Sequence, residues 1–422
     1  MSAPIDLPPE SDPSTPTLSP TTPFAIADFT RYWFARVLGL IAGQIQVVAT
    51  GWQMYELTHS VMDLGWVGFA QFLPGVLLVM VVGQVADHFD RRMIAFITTF
   101  IDVLGLLVFA IGSWQGWLSR EWIFVLAFVS GCTRAFKFPA LSALLPGLVG
   151  PALLPKAIAL SSSASESGFI VGPALGGFLY MAGADVTYFI AALLCAISAI
   201  LFALMRPVKR KAATQPVSLQ TLFAGIHFIR SKPIVLGAIS LDLFAVLLGG
   251  AVAMLPVFAK DILHVGPWGL GLLRSAQSVG ALSMALYLAR HPFGVGVGKI
   301  MFRSVAVFGM ATVVFALSRV WWLSFLALFV LGASDNISVV IRSSLVQLET
   351  PDDMRGRVSA VNALFIGTSN QLGEFESGLT AALFGLVPSV VLGGVGTILV
   401  VALWMKFFPE LVKLEKLEGK GH

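Results

Sequence analysis

From about residue 24 to residue 408 the chain is a succession of long apolar runs separated by short polar breaks, with few interruptions inside a run. Twelve runs are long enough to cross a hydrocarbon layer of about 30 Å. They cover 33–57, 64–86, 93–114, 121–145, 156–180, 185–205, 233–257, 267–290, 300–318, 321–346, 357–382 and 386–407. They are too long and too uniformly apolar for barrel strands, and backbone groups in lipid must bond within their own segment, so the pattern predicts helices. The expected architecture is an all-α integral membrane protein with twelve transmembrane helices in two six-helix pseudo-repeats.

The central polar break, RPVKRKAATQPVSLQ from Arg206 to Gln220, divides the chain. It sets out a polar tail (1–23), a first bundle (24–205), a linker (206–221), a second bundle (222–408) and a closing tail (409–422). A shift of 201 places Gly131 on Gly332, Lys156 on Arg357, Gly172 on Gly373 and Gly177 on Gly378, which supports an internal repeat. Two repeats around a central site are what alternating access requires. The linker is basic through Arg206, Lys209, Arg210 and Lys211, which predicts a cytoplasmic position and puts both termini on the same side. The opposite loops then carry only Arg120, Lys260 and Arg319.

Composition agrees with the pattern: 57% of residues are hydrophobic and 12% charged, and the mean hydropathy is +0.86. The formal charge of +4 is accounted for by the inner loops and needs no nucleic acid. The Pro/Ser/Thr-rich start reads as a disordered leader, without the basic region and short apolar core of a cleaved signal. Cys132 and Cys195 lie in separate runs, and six scattered histidines give no metal cluster. No phosphate-cradling loop, HExxH or extramembrane domain is present, so no enzyme, metal or cofactor is expected. Expected partners are the bilayer, a small-molecule substrate and protons, with the chain acting as a monomer.

Charge within the apolar runs is more telling, because an ion in hydrocarbon is expensive and normally faces a bundle interior or a watered cavity. Asp102, Arg134, Lys137, Glu166, Asp242, Arg274, Asp335, Glu374 and Glu376 all fall there. Of these, Glu166, Glu374, Asp242, Arg134 and Asp335 are the leading candidates for proton coupling or substrate contact. A desolvated carboxylate can take a proton from one side and release it to the other; held against a cation it becomes a structural ion pair instead. The 201 shift sets Asp335 on Arg134, which invites a pair across the halves. Gln46 and Gln53, seven apart, share a helix face as a hydrogen-bonding wall.

The stretch VVGQVADHFDRRMIAF, Val81 to Phe96, sits between the second and third runs. Gly83 permits close helix approach, Asp87 is suited to hold a gate, and Arg91 and Arg92 can pair with acids or anchor to headgroups. This stretch resembles the loop signature of the major facilitator superfamily: Gly83, Asp87, Arg91 and Arg92 match, while His88 and Asp90 depart from it. GFIVGPALGG, Gly168 to Gly177, is similar to the fifth-helix signature of the superfamily's antiporters through Gly168, Gly172, Pro173, Gly176 and Gly177. TPDDMRGRVSAVNALF, Thr350 to Phe365, resembles the corresponding loop of the subgroup that includes the enterobactin exporter and macrolide-efflux-like proteins.

The resemblance implies a secondary transporter of the bacterial inner membrane, with proton-coupled efflux of a small amphipathic or aromatic compound of siderophore or drug type. It also implies a coupling role for Arg134, since many family exporters carry an arginine in the fourth helix. The alternative is a lysolipid flippase, or an uncoupled facilitator or sensor with the same fold.

Overall fold

The computed structural model describes residues 22–78, 81–82, 85, 89–207 and 219–417. It is a bundle of α-helices. In the first part of the chain these are α1 (Ala27–Thr58), α2 (Val61–Leu77), α3 (Arg91–Gln115), α4 (Arg120–Leu148), α5 (Leu154–Tyr180) and α6 (Ala184–Ala203). They are followed by α7 (Leu219–Ser231), α8 (Pro233–Leu248), α9 (Pro267–Arg290), α10 (Val297–Leu317), α11 (Trp321–Glu349), α12 (Asp352–Phe384) and α13 (Leu386–Phe407). Between α8 and α9 the chain stays helical but irregular, with a 3-10 turn Ala251–Met254, an α turn Leu255–Val257 and a π turn Phe258–Ile262.

Local chemistry sets several boundaries. The Asp90 carboxylate accepts the amide of Arg92 at 2.9 Å and caps α3, which stops where Gly116 takes φ 74°. Ser60 caps α2 by accepting the Asp63 amide at 3.3 Å.

The expected twelve spans in two six-helix repeats are corrected. Among the described residues eight helices are long and apolar enough to cross a membrane: α1, α3, α4, α6, the 30-residue stretch Pro233–Ile262, α10, α11 and α13. Helix α2 is only 17 residues long in the described chain and contains Pro74. Helices α5, α9 and α12 are long, yet α5 carries five serines and Glu166 within one stretch, α9 carries Arg274 and Gln277, and α12 carries Glu374, Glu376 and several amides. These four helices make the seams of the molecule. Helices α1–α6 pack mainly on one another, as do α7–α13, and the two groups meet chiefly along α5 against α9 and α2 against α12. A helix that faces a partner or a watered space keeps polar side chains that a lipid-facing one would lose.

The interior is asymmetric from end to end. We call basal the end where α1 begins, where Arg31 and Arg92 bond the carbonyls of Leu204 and Met205 and Arg91 bonds that of Ala143. The opposite end is apical. In the apical half one continuous apolar core draws on both groups, joining Ile45, Trp52, Met54 and Tyr188 to Met254, Phe258, Leu273 and Phe315. In the basal half the cores are separate: one around Phe29, Tyr32, Leu144 and Phe202, and others around Met301, Phe302 and Ile341 and around Ile229, Val235 and Val358. The molecule is closed apically and parted basally.

Candidate functional site

Two cavities adjoin, one of them where the groups part. The larger, about 430 Å³, is bounded by α1, α2, α4, α5, the Ala253–Pro256 stretch, α9 and α12. Its polar lining includes Gln44, Gln71, Arg134, Arg274, Asn370, Gln371 and Glu374, with Phe169 and Val67 among the apolar contributions. The smaller, about 190 Å³, lies within the first group and is lined by Arg36, Gln46, Asp102, Arg134, Lys137 and Ser198 among others. Gln44, Val47, Gln71 and Arg134 border both.

Helix periodicity brings these side chains inward. Arg134, Phe138 and Leu141 follow one face of α4 and line the smaller cavity. Lys137, on the same helix, pairs with Asp102 of α3, and Thr133 donates to that carboxylate as well, so Asp102 is held by two α4 side chains. Arg36 donates to Tyr32 Oη at 3.1 Å and to Ser165 Oγ at 2.9 Å, tying α1 to α5. Arg274, like Arg36, has a buried Nε without a hydrogen-bond partner, but unlike Arg36 it makes no other hydrogen bond to a described residue. Glu374 lies within electrostatic reach of both Arg274 and Arg134.

The remaining sequence candidates are distributed as follows. Gln46 lines the smaller cavity, whereas Gln53 is buried and donates through Nε2 to Ser113 Oγ at 2.9 Å, outside both linings. Glu166 is half-buried on α5, also outside both linings. Asp335 is not brought to Arg134; it shares a small pocket with Asp242, Ser338 and Phe308 in the second group. Asp242 forms a buried ion pair with Arg342 of α11. Gly83 and Asp87 lie outside the described residues. Arg92 pairs weakly with Asp90 at 3.9 Å, and Arg91 donates to the Ala143 carbonyl at 2.9 Å.

The glycines of the antiporter-like motif face two partners. Gly168, Gly172 and Gly176 press on α1 at Leu40, Gln44 and Ile45, while Pro173 and Gly177 press on α9 at Gly271. A Cβ placed on Gly177 would stand 2.9 Å from the Gly271 Cα. The other seam has the same device: a Cβ on Gly378 would stand 2.8 Å from the Gly65 Cα. Gly177 and Gly378 are related by the 201 shift, and each brings its helix backbone against a glycine of the facing helix.

A polar cluster that the sequence reading passed over closes the apical end. Tyr55 of α1 donates to Asp261 in the π turn, across the groups, and Lys260 stands 5.9 and 5.8 Å from the Trp52 and Tyr55 ring centres. Glu56 accepts from Trp52 Nε1 at 2.7 Å and from Tyr180 Oη at 2.9 Å. The signal was available in MYEL and AKDI, charges beside aromatics at run ends. Tyr55→Phe is expected to weaken apical closure by about 1 kcal/mol, a roughly fivefold shift toward the apically open form. Faster maleimide labelling of a cysteine at Thr50, which lines the larger cavity, would show it; unchanged labelling would deny the bond a closing role.

Comparison with known proteins agrees with this geometry. The family model described as transmembrane secretion effector matches residues 18–420. The chain belongs to this family, within the major facilitator superfamily. It is 27% identical over 397 residues to the enterobactin exporter EntS of Citrobacter koseri, covering 91% of this chain and 92% of that one. EntS of Salmonella typhimurium is 28% identical over 394 residues, with the same coverage. Among solved structures, a bacterial homologue of the human lysosomal transporter Spinster superposes with a TM-score of 0.74 at 14% identity, covering 93% of this chain and 99% of that one. The family member described here is therefore a multi-pass membrane transporter of bacterial inner-membrane type. It moves small molecules by alternating access and is not an enzyme.

Proposed function

We propose that this transporter is a proton-coupled exporter of a small amphipathic or aromatic compound of siderophore or drug type. The observation that carries the reading is the central cavity: a polar space between the helix groups, sealed apically by a shared core, with Glu374 facing Arg134 and Arg274. A carboxylate whose neighbours change their charge partners changes its proton affinity, which is the minimum requirement for coupling. The basal end is taken as cytoplasmic, because it gathers Arg31, Arg91, Arg92 and Arg206 and the start of the basic linker. The closed end then faces outward, and the cavity is poised to load from the cell interior. Similarity to enterobactin exporters supports both the outward direction and the ligand class.

The test is proton movement in inside-out vesicles with an acid interior. Siderophores, macrolides, cationic dyes and lysolipids are added singly, and recovery of a pH-quenched fluorophore is followed against vesicles lacking the protein. Recovery with one ligand is expected. Silence across the panel, with the protein present and correctly oriented, would remove proton coupling. Glu374→Gln is expected to reduce ligand-driven recovery at least about tenfold with insertion unchanged, since the group that can exchange a proton is gone. Recovery at the wild-type rate would take Glu374 out of the coupling step.

A further inference from the structure

The cavity walls are not neutral. Arg36, Arg134, Lys137 and Arg274 face Asp102 and Glu374, four cations against two carboxylates. Lys137 and Asp102 satisfy one another, and Arg36 is held by two hydroxyls. Arg134 and Arg274 differ from these and from Arg31, Arg91, Arg92, Arg120 and Arg342, all of which bond a carboxylate or a carbonyl. Neither forms a hydrogen bond or direct ion pair with a described residue, and Arg274 Nε is buried without a partner. Both border the 430 Å³ cavity, and both act on the same carboxylate, Glu374. Two guanidinium groups sharing one carboxylate at a distance leave an excess of positive charge and of unused donors beside an open polar space. Guanidinium donors that open into a shared cavity without a protein acceptor are matched by an oxyanion, which can accept from both at once.

We propose that Arg134 and Arg274 form a receptor for an anionic group of the transported molecule, a carboxylate, phenolate or sulfonate, and that Glu374 is the built-in counter-ion which that group displaces. The proposal rests on the reading of this cavity as the transport site and adds its charge selectivity. Phe169 and Val67 on the same lining supply apolar contact for the body of the molecule, and Gln71 and Gln371 supply neutral hydrogen bonds. Arg134 comes from α4 of the first group and Arg274 from α9 of the second, so an anion held by both bridges the groups across the cavity. A cationic molecule would meet the opposite: two arginines repelling it and one glutamate already engaged.

The experiment measures binding apart from transport. Protein in phosphatidylcholine nanodiscs is dialysed against three probes with one aromatic body: 2-naphthoate, 2-naphthamide and 2-naphthylmethylammonium. The wild type is expected to bind the carboxylate at least about tenfold more tightly than the amide and to bind the ammonium least. Arg134→Gln and Arg274→Gln should each reduce that preference to about threefold or less, while Arg274→Lys keeps part of it and guards against a merely structural effect. Glu374→Gln should bind naphthoate several-fold more tightly than the wild type, because the competing carboxylate is gone. Preference for the ammonium, equal binding of all three, no binding of any at millimolar concentration, or a carboxylate preference untouched in both Gln variants would overturn the proposal. The two readings separate cleanly. Naphthoate preference with no ligand-driven proton movement in vesicles leaves the receptor standing and removes proton-coupled export; proton movement driven by cationic dyes alone does the reverse.

Discussion

Replacing Gly177 by leucine is expected to stop transport and leave the protein unable to close its apical end. At this point α5 and α9 cross with their backbones in contact: a single Cβ on Gly177 would stand 2.9 Å from the Gly271 Cα and 3.0 Å from its amide nitrogen. Within a bilayer no hydrophobic force draws helices together, so such a seam is held by close packing and by the hydrogen bonds that packing permits. Here the neighbouring bond is from Ser275 Oγ to the Ile170 carbonyl, 2.7 Å long, which a separation of the helices would break. Overpacking of this kind costs about 1–3 kcal/mol, enough to shift the balance between closed and open apical ends by about 5- to 150-fold. The measurement pairs vesicle transport with labelling of a Thr50→Cys reporter by an impermeant maleimide applied from the apical side, in a background lacking Cys132 and Cys195. Loss of transport with faster labelling is the expected result, and Gly177→Ala should fall between leucine and the wild type. Normal transport with unchanged labelling would mean that this seam does not open in the cycle.

That seam was partly legible in the sequence. GFIVGPALGG marks a helix built for close approach, and the 201 shift relates Gly177 to Gly378, but which helices they touch depends on how the groups meet, which no local pattern records. The span count failed for a related reason. Counting apolar runs treats each as lipid-facing, whereas α2, α5, α9 and α12 give positions to glycine, serine, amides and charge because they face each other and the cavity. Within the candidate site, Arg134, Glu374 and Gln46 could be picked out from their depth in apolar runs, and they line the cavities. Gln53 shares a helix face with Gln46 by spacing, yet two helical turns of height separate a cavity wall from a packed contact with α3.

Arg342 was missed altogether, since it falls near the end of the run 321–346, where a cation reads as an interfacial anchor. Helix α11 continues to Glu349, and that extension turns the residue from an end position into a core one. The available signal was the seven-residue step from Asp335, two turns along one face.

Arg342→Met is expected to be the most destabilising substitution considered, at about 3–5 kcal/mol. The side chains of Arg342 and Asp242 are 3% and 7% exposed, so removing the cation strands a carboxylate in a poorly solvated place. The cost is raised by the neighbour: Asp335 lines the same small pocket as Asp242, and the pocket's other members, Ala245, Val246, Val305, Phe308 and Ser338, bring no positive charge. The double replacement Asp242→Leu with Arg342→Met removes both charges and should recover most of the loss, because a buried ion pair seldom outperforms an apolar pair of similar volume. Denaturant unfolding in detergent, run on the wild type, the single variant and the double variant, separates charge from packing. Equal destabilisation of single and double variants would assign the loss to shape, and an unaffected single variant would show that the pair contributes nothing. Transport by the double variant then decides what the pair is for. If stability returns and transport does not, the pair works in the cycle, with α8 and α11 joined by a bond that the apolar replacement cannot make and break.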